Sequence, residues 1–161
     1  QHSPPAARAA HSTPGTQGWR MIGALLIALH GVLFIGIELY RFATASLQNA
    51  GDVIFSVIIA VILFLVSFHV LKSTTRKKLV AALILGSPLA VLSIWGVWEG
   101  INSLPFYLYD DFFIQSIQND TRLQNRLVSL VVFGVVNNVV LSIGCFFVIA
   151  GSIRDLRARK V

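Results

Sequence analysis

The chain alternates between long apolar runs and short polar connections. Four runs, at about 21–40, 53–71, 79–98 and 127–151, consist mostly of Leu, Ile, Val, Ala and Phe. A transmembrane helix needs about 20 mostly apolar residues, because each residue advances the helix by about 1.5 Å through a hydrocarbon core about 30 Å thick. The pattern therefore predicts an all-α integral membrane protein, built as a bundle of four transmembrane helices.

The composition agrees with a lipid environment. Hydrophobic residues make up 55% of the chain and charged residues 12%, whereas an average soluble domain has about 25% charged residues. So few charges do not cover the surface of a soluble globule of this size. The lipid bilayer is accordingly the first predicted partner.

The charges are distributed unevenly between the two sides that four spans create. The side with both termini and the 72–78 loop carries ten of the 13 basic residues and one of the seven acidic residues. The positive-inside rule therefore predicts that both termini are cytoplasmic, most simply in the plasma (inner) membrane. The same basic residues are expected to attract anionic lipid head groups at the inner face. No nucleic-acid partner is expected, because no readout motif accompanies the charge.

The ends of the chain differ in composition from its middle. Residues 1–18 are rich in Pro, Ala, Ser and Thr and have no apolar periodicity. That composition predicts a disordered basic cytoplasmic tail. Residues 19–153 form the predicted transmembrane domain, and residues 154–161 form a second basic tail.

The loop between the third and fourth spans has a pattern of its own. After Pro105, the residues Phe106, Tyr109, Phe113 and Ile117 recur close to helical spacing, with acidic and amide residues between them. Such a stripe is typical of an amphipathic helix that lies in a membrane interface. We expect an outer interfacial amphipathic segment here, which either rests on lipid or docks on another membrane protein.

Several polar residues interrupt the spans at one depth. His30 lies ten residues after Arg20, so it is about 15 Å from the inner end of the first span. Asn137 and Asn138 lie about as far from the outer end of the fourth span, and Ser87 is at a similar level in the third. In a core about 30 Å thick these depths coincide. We predict a midplane polar layer of His30, Asn137, Asn138 and Ser87.

This layer has three interpretations. Polar side chains inside a membrane often hold helices together through hydrogen bonds. Ionisable groups at that depth also often handle protons or substrates, and the layer could instead contact a partner subunit. Near the outer end of the first span, Glu38 precedes Arg41 by three residues, which predicts an ion pair or a gate.

The sequence contains no recognisable pattern for catalysis, phosphate binding or metal binding. The sequence has no nucleophile–base pair at one depth, no phosphate-binding glycine loop and no cluster with metal-ligand spacing. We therefore expect no catalytic residues, no cofactor and no bound metal. The first functional hypothesis is a non-enzymatic multi-pass protein that is an accessory subunit or interaction module, with another membrane protein or a homo-oligomer as partner. The alternatives are a small oligomeric transporter or channel that uses the His/Asn layer and, third, a membrane-embedded enzyme.

Overall fold

The computed structural model describes residues 14–44, 50–117 and 120–158, and these are nearly all helical. The helices are α1 (Pro14–Thr44), α2 (Ala50–Leu71), α3 (Arg76–Tyr109), α4 (Asp111–Ser116) and α5 (Thr121–Ala158). These three ranges contain no β-strand. All helices except α4 are long and apolar enough to cross a membrane. The all-helical architecture and its four candidate spans confirm the prediction from hydropathy.

The helices extend beyond the apolar runs that predicted them. Helix α1 begins at Pro14, so residues 14–18 are helical although we predicted a disordered tail; residues 1–13 lie outside the described ranges. Proline suits the first turn of a helix, where its missing N–H has no intrahelical partner. Helix α5 likewise includes residues 154–158 of the predicted second tail, while 159–161 lie outside the described ranges. Arg157 in its last turn complements the negative end of the helix dipole.

The helices follow one another in the order α2–α1–α5–α3. Helices α1 and α5 pack against each other at the centre, α2 packs on α1, and α3 packs on α5. Helices α2 and α3 contact each other much less than these pairs do. The four helices therefore pack as a bundle whose α2–α3 side is the most open.

Glycines allow α5 to approach both of its neighbours, α1 and α3, closely. A Cβ atom added at Gly23 of α1 would lie 2.6 Å from the carbonyl oxygen of Gly144 in α5. A Cβ atom at Gly96 of α3 would lie 2.6 Å from Nδ2 of Asn138 in α5, and a Cβ atom at Gly100 would lie even closer to the side chain of Val135. Lipid supplies no hydrophobic drive between helices, so such close contacts and hydrogen bonds hold them together.

The buried apolar cluster occupies one end of the molecule. Its members lie near the start of α1, the α2–α3 connection and the end of α5, which we call the Arg20 end; the opposite end is the Tyr107 end. The cluster comprises Ala24, Ile27, Leu63, Val66, Val70, Ala82, Leu141, Cys145 and Val148. The Ser67 hydroxyl also donates to the backbone oxygen of Ala24 at 2.6 Å, which ties α2 to α1.

Substitution of Gly23 by alanine should destabilise the fold. The added methyl group would meet the backbone of α5 at Gly144, which cannot rotate away. We expect a loss of about 1–3 kcal/mol, the usual cost of overpacking, measured by reversible unfolding in mixed micelles. Gly36→Ala on the same helix is the control, since no atom lies within 4 Å of its added Cβ. Equal stability of the two variants would contradict the close α1–α5 contact.

Candidate functional site

His30 of α1 and Asn137 of α5 bind each other reciprocally. His30 Nδ1 lies 2.9 Å from the backbone oxygen of Asn137, and Asn137 Nδ2 lies 3.5 Å from the backbone oxygen of His30. Because a carbonyl oxygen only accepts, these contacts require a proton on Nδ1 and turn the amide nitrogen toward α1. The two residues are 6% and 3% exposed. The amide oxygen, Asn137 Oδ1, has no hydrogen-bond donor within the described ranges.

Asn138 faces the opposite neighbour. Its amide packs against Gly96 of α3, where a side chain would collide with it. One turn further along α5, the hydroxyls of Ser142 and Ser93 lie 2.8 Å apart, within hydrogen-bond distance. Adjacent residues differ by about 100° around a helix axis. The two asparagines therefore bring polar groups to different interfaces, α1–α5 and α3–α5.

Ser87 does not join this layer. It is exposed, and its hydroxyl donates to the backbone oxygen of Leu83 within α3 at 2.8 Å. The prediction used depth alone and ignored rotation around the helix axis. Six residues rotate a helix by about 600°, so Ser87 and Ser93 face different sides of α3. On α3, Ser93 and Gly96 are the residues that meet the polar groups of α5.

A cavity of about 710 Å³ lies between α1, α3 and α5, on the Tyr107 side of the polar layer. His30, Asn137 and Asn138 line its inner end, and apolar side chains such as Phe34 and Val131 line its walls. The His30 and Phe34 rings are stacked, with centroids 6.1 Å apart. Small-molecule sites commonly have volumes of about 300–1,000 Å³ and combine apolar walls with a few polar groups. The cavity has this character.

Charged side chains line the part of the cavity nearest the Tyr107 end. Arg41 Nη1 lies 2.8 Å from Glu38 Oε1, so these two residues form an ion pair. The Glu38 side chain is buried, while that of Arg41 is 46% exposed. Glu99 is exposed and accepts a hydrogen bond of 3.2 Å from Trp95 Nε1. Two carboxylates and one guanidinium therefore line the same space.

The predicted amphipathic stripe is divided between two helices, which corrects the expectation of one continuous helix. Asp110 follows the end of α3 and is the N-cap of α4, where its carboxylate accepts a 2.8 Å hydrogen bond from the backbone N–H of Phe113. Aspartate is a favourable residue at a helix N-terminus. Tyr109 on α3 is 78% exposed, while Ile117 forms the C-cap of α4 and is partly buried.

Three aromatic rings pack together across this division. The Phe113 ring lies 5.0 Å from that of Phe106 and 5.2 Å from that of Tyr107, measured between centroids. Tyr107 was not part of the predicted stripe, yet it also lines the cavity. The cluster thus joins α4 to the end of α3 beside the opening of the cavity.

The sequence reasoning missed a buried ion pair at the Arg20 end. Arg20 Nη2 lies 2.8 Å from Asp155 Oδ2, and the two side chains are only 6% and 1% exposed. Arg20 Nη1 also donates to the backbone oxygen of Ser73, so one guanidinium links α1, α5 and the α2–α3 connection. From the sequence alone, Arg20 marks the inner end of the first span and adds to the basic charge of that side. The available clue was Asp155, the one acidic residue on a strongly basic side.

The four long apolar helices indicate an integral membrane protein of the multi-pass class. The part of the chain that is described has no group of three or more His, Cys, Asp or Glu residues placed to hold a metal ion. Cys145 is buried and unpaired with any other cysteine. No family model, curated protein or solved structure matches the chain.

Neutralising Asp155 should destabilise the protein severely. Asp155→Asn leaves the Arg20 charge buried without a counter-ion, and such a change commonly costs about 3–5 kcal/mol. Unfolding in mixed micelles measures this loss. Arg157→Gln is the control, because that side chain is exposed on the same helix end and should cost at most about 1 kcal/mol, its contribution through the helix dipole. Similar stabilities for both variants would show that the ion pair contributes little.

Proposed function

We propose that the protein is a non-enzymatic multi-pass membrane protein that binds a small solute from the outer side, as a small transporter or channel does. The observation that carries this proposal is the cavity that ends at the His30–Asn137 pair. The distribution of basic residues favours a cytoplasmic Arg20 end. In that orientation the cavity reaches from the outer side to the middle of the bilayer.

The two halves of the molecule differ in a way that supports solute binding. The Arg20 half contains the apolar cluster, the close Gly23–Gly144 contact and the Arg20–Asp155 ion pair. The Tyr107 half contains the cavity. Closure at one end and an opening to the midplane at the other is the outward-open arrangement that alternating access requires.

The polar layer also fits a binding role better than a purely structural one. Helices associate in lipid through close packing, and a single interhelical hydrogen bond contributes only about 0.6–2 kcal/mol. Residues that serve only as structural links need no adjoining space. Here His30, Asn137 and Asn138 all border the cavity, and Asn138 is partly exposed.

A second candidate function is an accessory subunit or interaction module, which the open α2–α3 side of the bundle favours. Helices α2 and α3 contact each other little, and both have strongly exposed apolar side chains such as Phe55 and Val91. Another membrane protein or a second copy of the chain would cover these faces in a complex. The exposed basic residues Lys77 and Lys78 suit contact with anionic lipid head groups.

Solute binding from outside predicts that water reaches the cavity. In a Cys145→Ala background, Gly134→Cys should react quickly with a membrane-impermeant maleimide added on the outer side, because Gly134 lines the cavity. Phe133→Cys is the matched control, since the neighbouring side chain is 61% exposed on the outside of the helices, where lipid would surround it. We expect at least tenfold faster labelling at position 134.

Labelling at position 134 that is no faster than at position 133 would contradict the proposal. The cavity would then be closed to water from the outer side. The interaction-module hypothesis would remain, because it does not require an accessible cavity.

A further inference from the structure

The cavity also indicates which class of solute it takes. We propose, on the basis of the proposed function, that the cavity binds small organic cations that carry N–H donors, which are the alkylammonium class. Three features of the cavity point to this class: the hydrogen-bond acceptors at its inner end, the charge of its outer part and the apolar walls between them.

The inner end of the cavity offers acceptors. Nδ1 of His30 is committed as a donor to the backbone of Asn137, so in a neutral imidazole the other ring nitrogen, Nε2, has a lone pair. Nδ2 of Asn137 faces the backbone oxygen of His30, which leaves Oδ1 of a 3% exposed side chain without a donor in the described chain. An unpaired buried acceptor is costly. The oxygen has almost no accessible surface, so a ligand that donates hydrogen bonds would remove this cost when the Asn137 amide turns toward the cavity.

The outer part of the cavity favours positive charge. Glu38 and Glu99 line it together with a single cation, Arg41, which is already paired with Glu38. The sequence adds Asp110, Asp111 and Asp120 near the same end, against Arg122 and Arg126. A concave surface with an excess of one charge concentrates ions of the opposite sign. Anionic solutes would instead meet the carboxylates.

The walls between these regions suit an alkyl group. Phe34, Ile37 and Val131 present apolar surface there, and the faces of aromatic rings also attract ammonium groups. A volume of about 710 Å³ easily holds a small amine with its hydration water. The class that matches all three regions therefore has a positive charge, N–H donors and a short hydrocarbon chain.

Gly134 allows the cavity to be filled by mutation. It lines the cavity, and no heavy atom lies within 4 Å of an added Cβ, so Gly134→Leu projects into free space. Gly36 is also in a helix with no heavy atom within 4 Å of an added Cβ, and it is absent from the cavity lining. Gly36→Leu is therefore a matched control that adds the same side chain elsewhere.

The test uses the full chain in lipid nanodiscs and isothermal titration with three probes. n-Butylammonium has the charge and the donors, tetramethylammonium has the charge without N–H donors, and n-butanol has a donor without the charge. We expect n-butylammonium to bind at least tenfold more tightly than either of the others. Gly134→Leu should weaken its binding at least tenfold, whereas Gly36→Leu should leave it unchanged.

A second variant keeps the test decisive if Gly134→Leu does not fold. Glu99→Gln alters an exposed side chain at the edge of the cavity and should weaken n-butylammonium binding several-fold while leaving n-butanol binding unchanged. Equal affinity for n-butylammonium and either other probe would overturn the proposed ligand class. So would n-butylammonium binding that survives in Gly134→Leu.

The two proposals fail in different ways. Rapid maleimide labelling of Gly134→Cys without n-butylammonium binding would contradict the ammonium class and leave solute binding from the outer side intact. Absence of labelling at that position, compared with Phe133→Cys, would contradict both.

Discussion

The reciprocal contact between His30 and Asn137 is the interaction around which the two halves of this structure are arranged. Lipid gives helices no hydrophobic reason to associate, so an interface needs close packing or hydrogen bonds. Toward the Arg20 end of this pair, glycines and small side chains bring α1 and α5 together. Toward the Tyr107 end, the cavity lies between α1, α3 and α5. The pair therefore marks the boundary between a packed half and an open half.

Helix α5 occupies the centre because both of its faces are adapted to a neighbour. Asn137 meets α1, while Asn138 meets α3 at Gly96, so two adjacent amides serve two interfaces. This explains why a valine-rich helix has an Asn–Asn pair near its middle. The same two residues line the cavity, so the contacts that hold the three helices together also provide the polar groups of the proposed binding site.

Much of this arrangement follows from one-dimensional information. The lengths of the apolar runs predicted the four long helices. The rise per residue of a helix predicted that His30 and Asn137 lie at a common depth. The rotation of each helix around its own axis is harder to predict, because it depends on which helix faces pack together. Ser87 therefore lies at the predicted depth but on a side of α3 that faces away from the polar layer. The buried partnership of Arg20 with Asp155 joins residues 135 positions apart, and local pattern contains no signal for that pairing. The cavity could not be predicted from the sequence either, because it depends on how α1, α3 and α5 are placed relative to one another.

The most direct test of the account is hydrogen–deuterium exchange of the full chain in lipid nanodiscs. Amides exchange where water reaches the backbone and the local structure opens readily. We predict faster exchange over residues 127–138 of α5, which lie beside the cavity, than over residues 141–152 of the same helix, which lie beside the apolar cluster. Equal protection of the two segments, or slower exchange in the first, would contradict the division of this protein into a Tyr107 half with a water-accessible cavity and a closely packed Arg20 half.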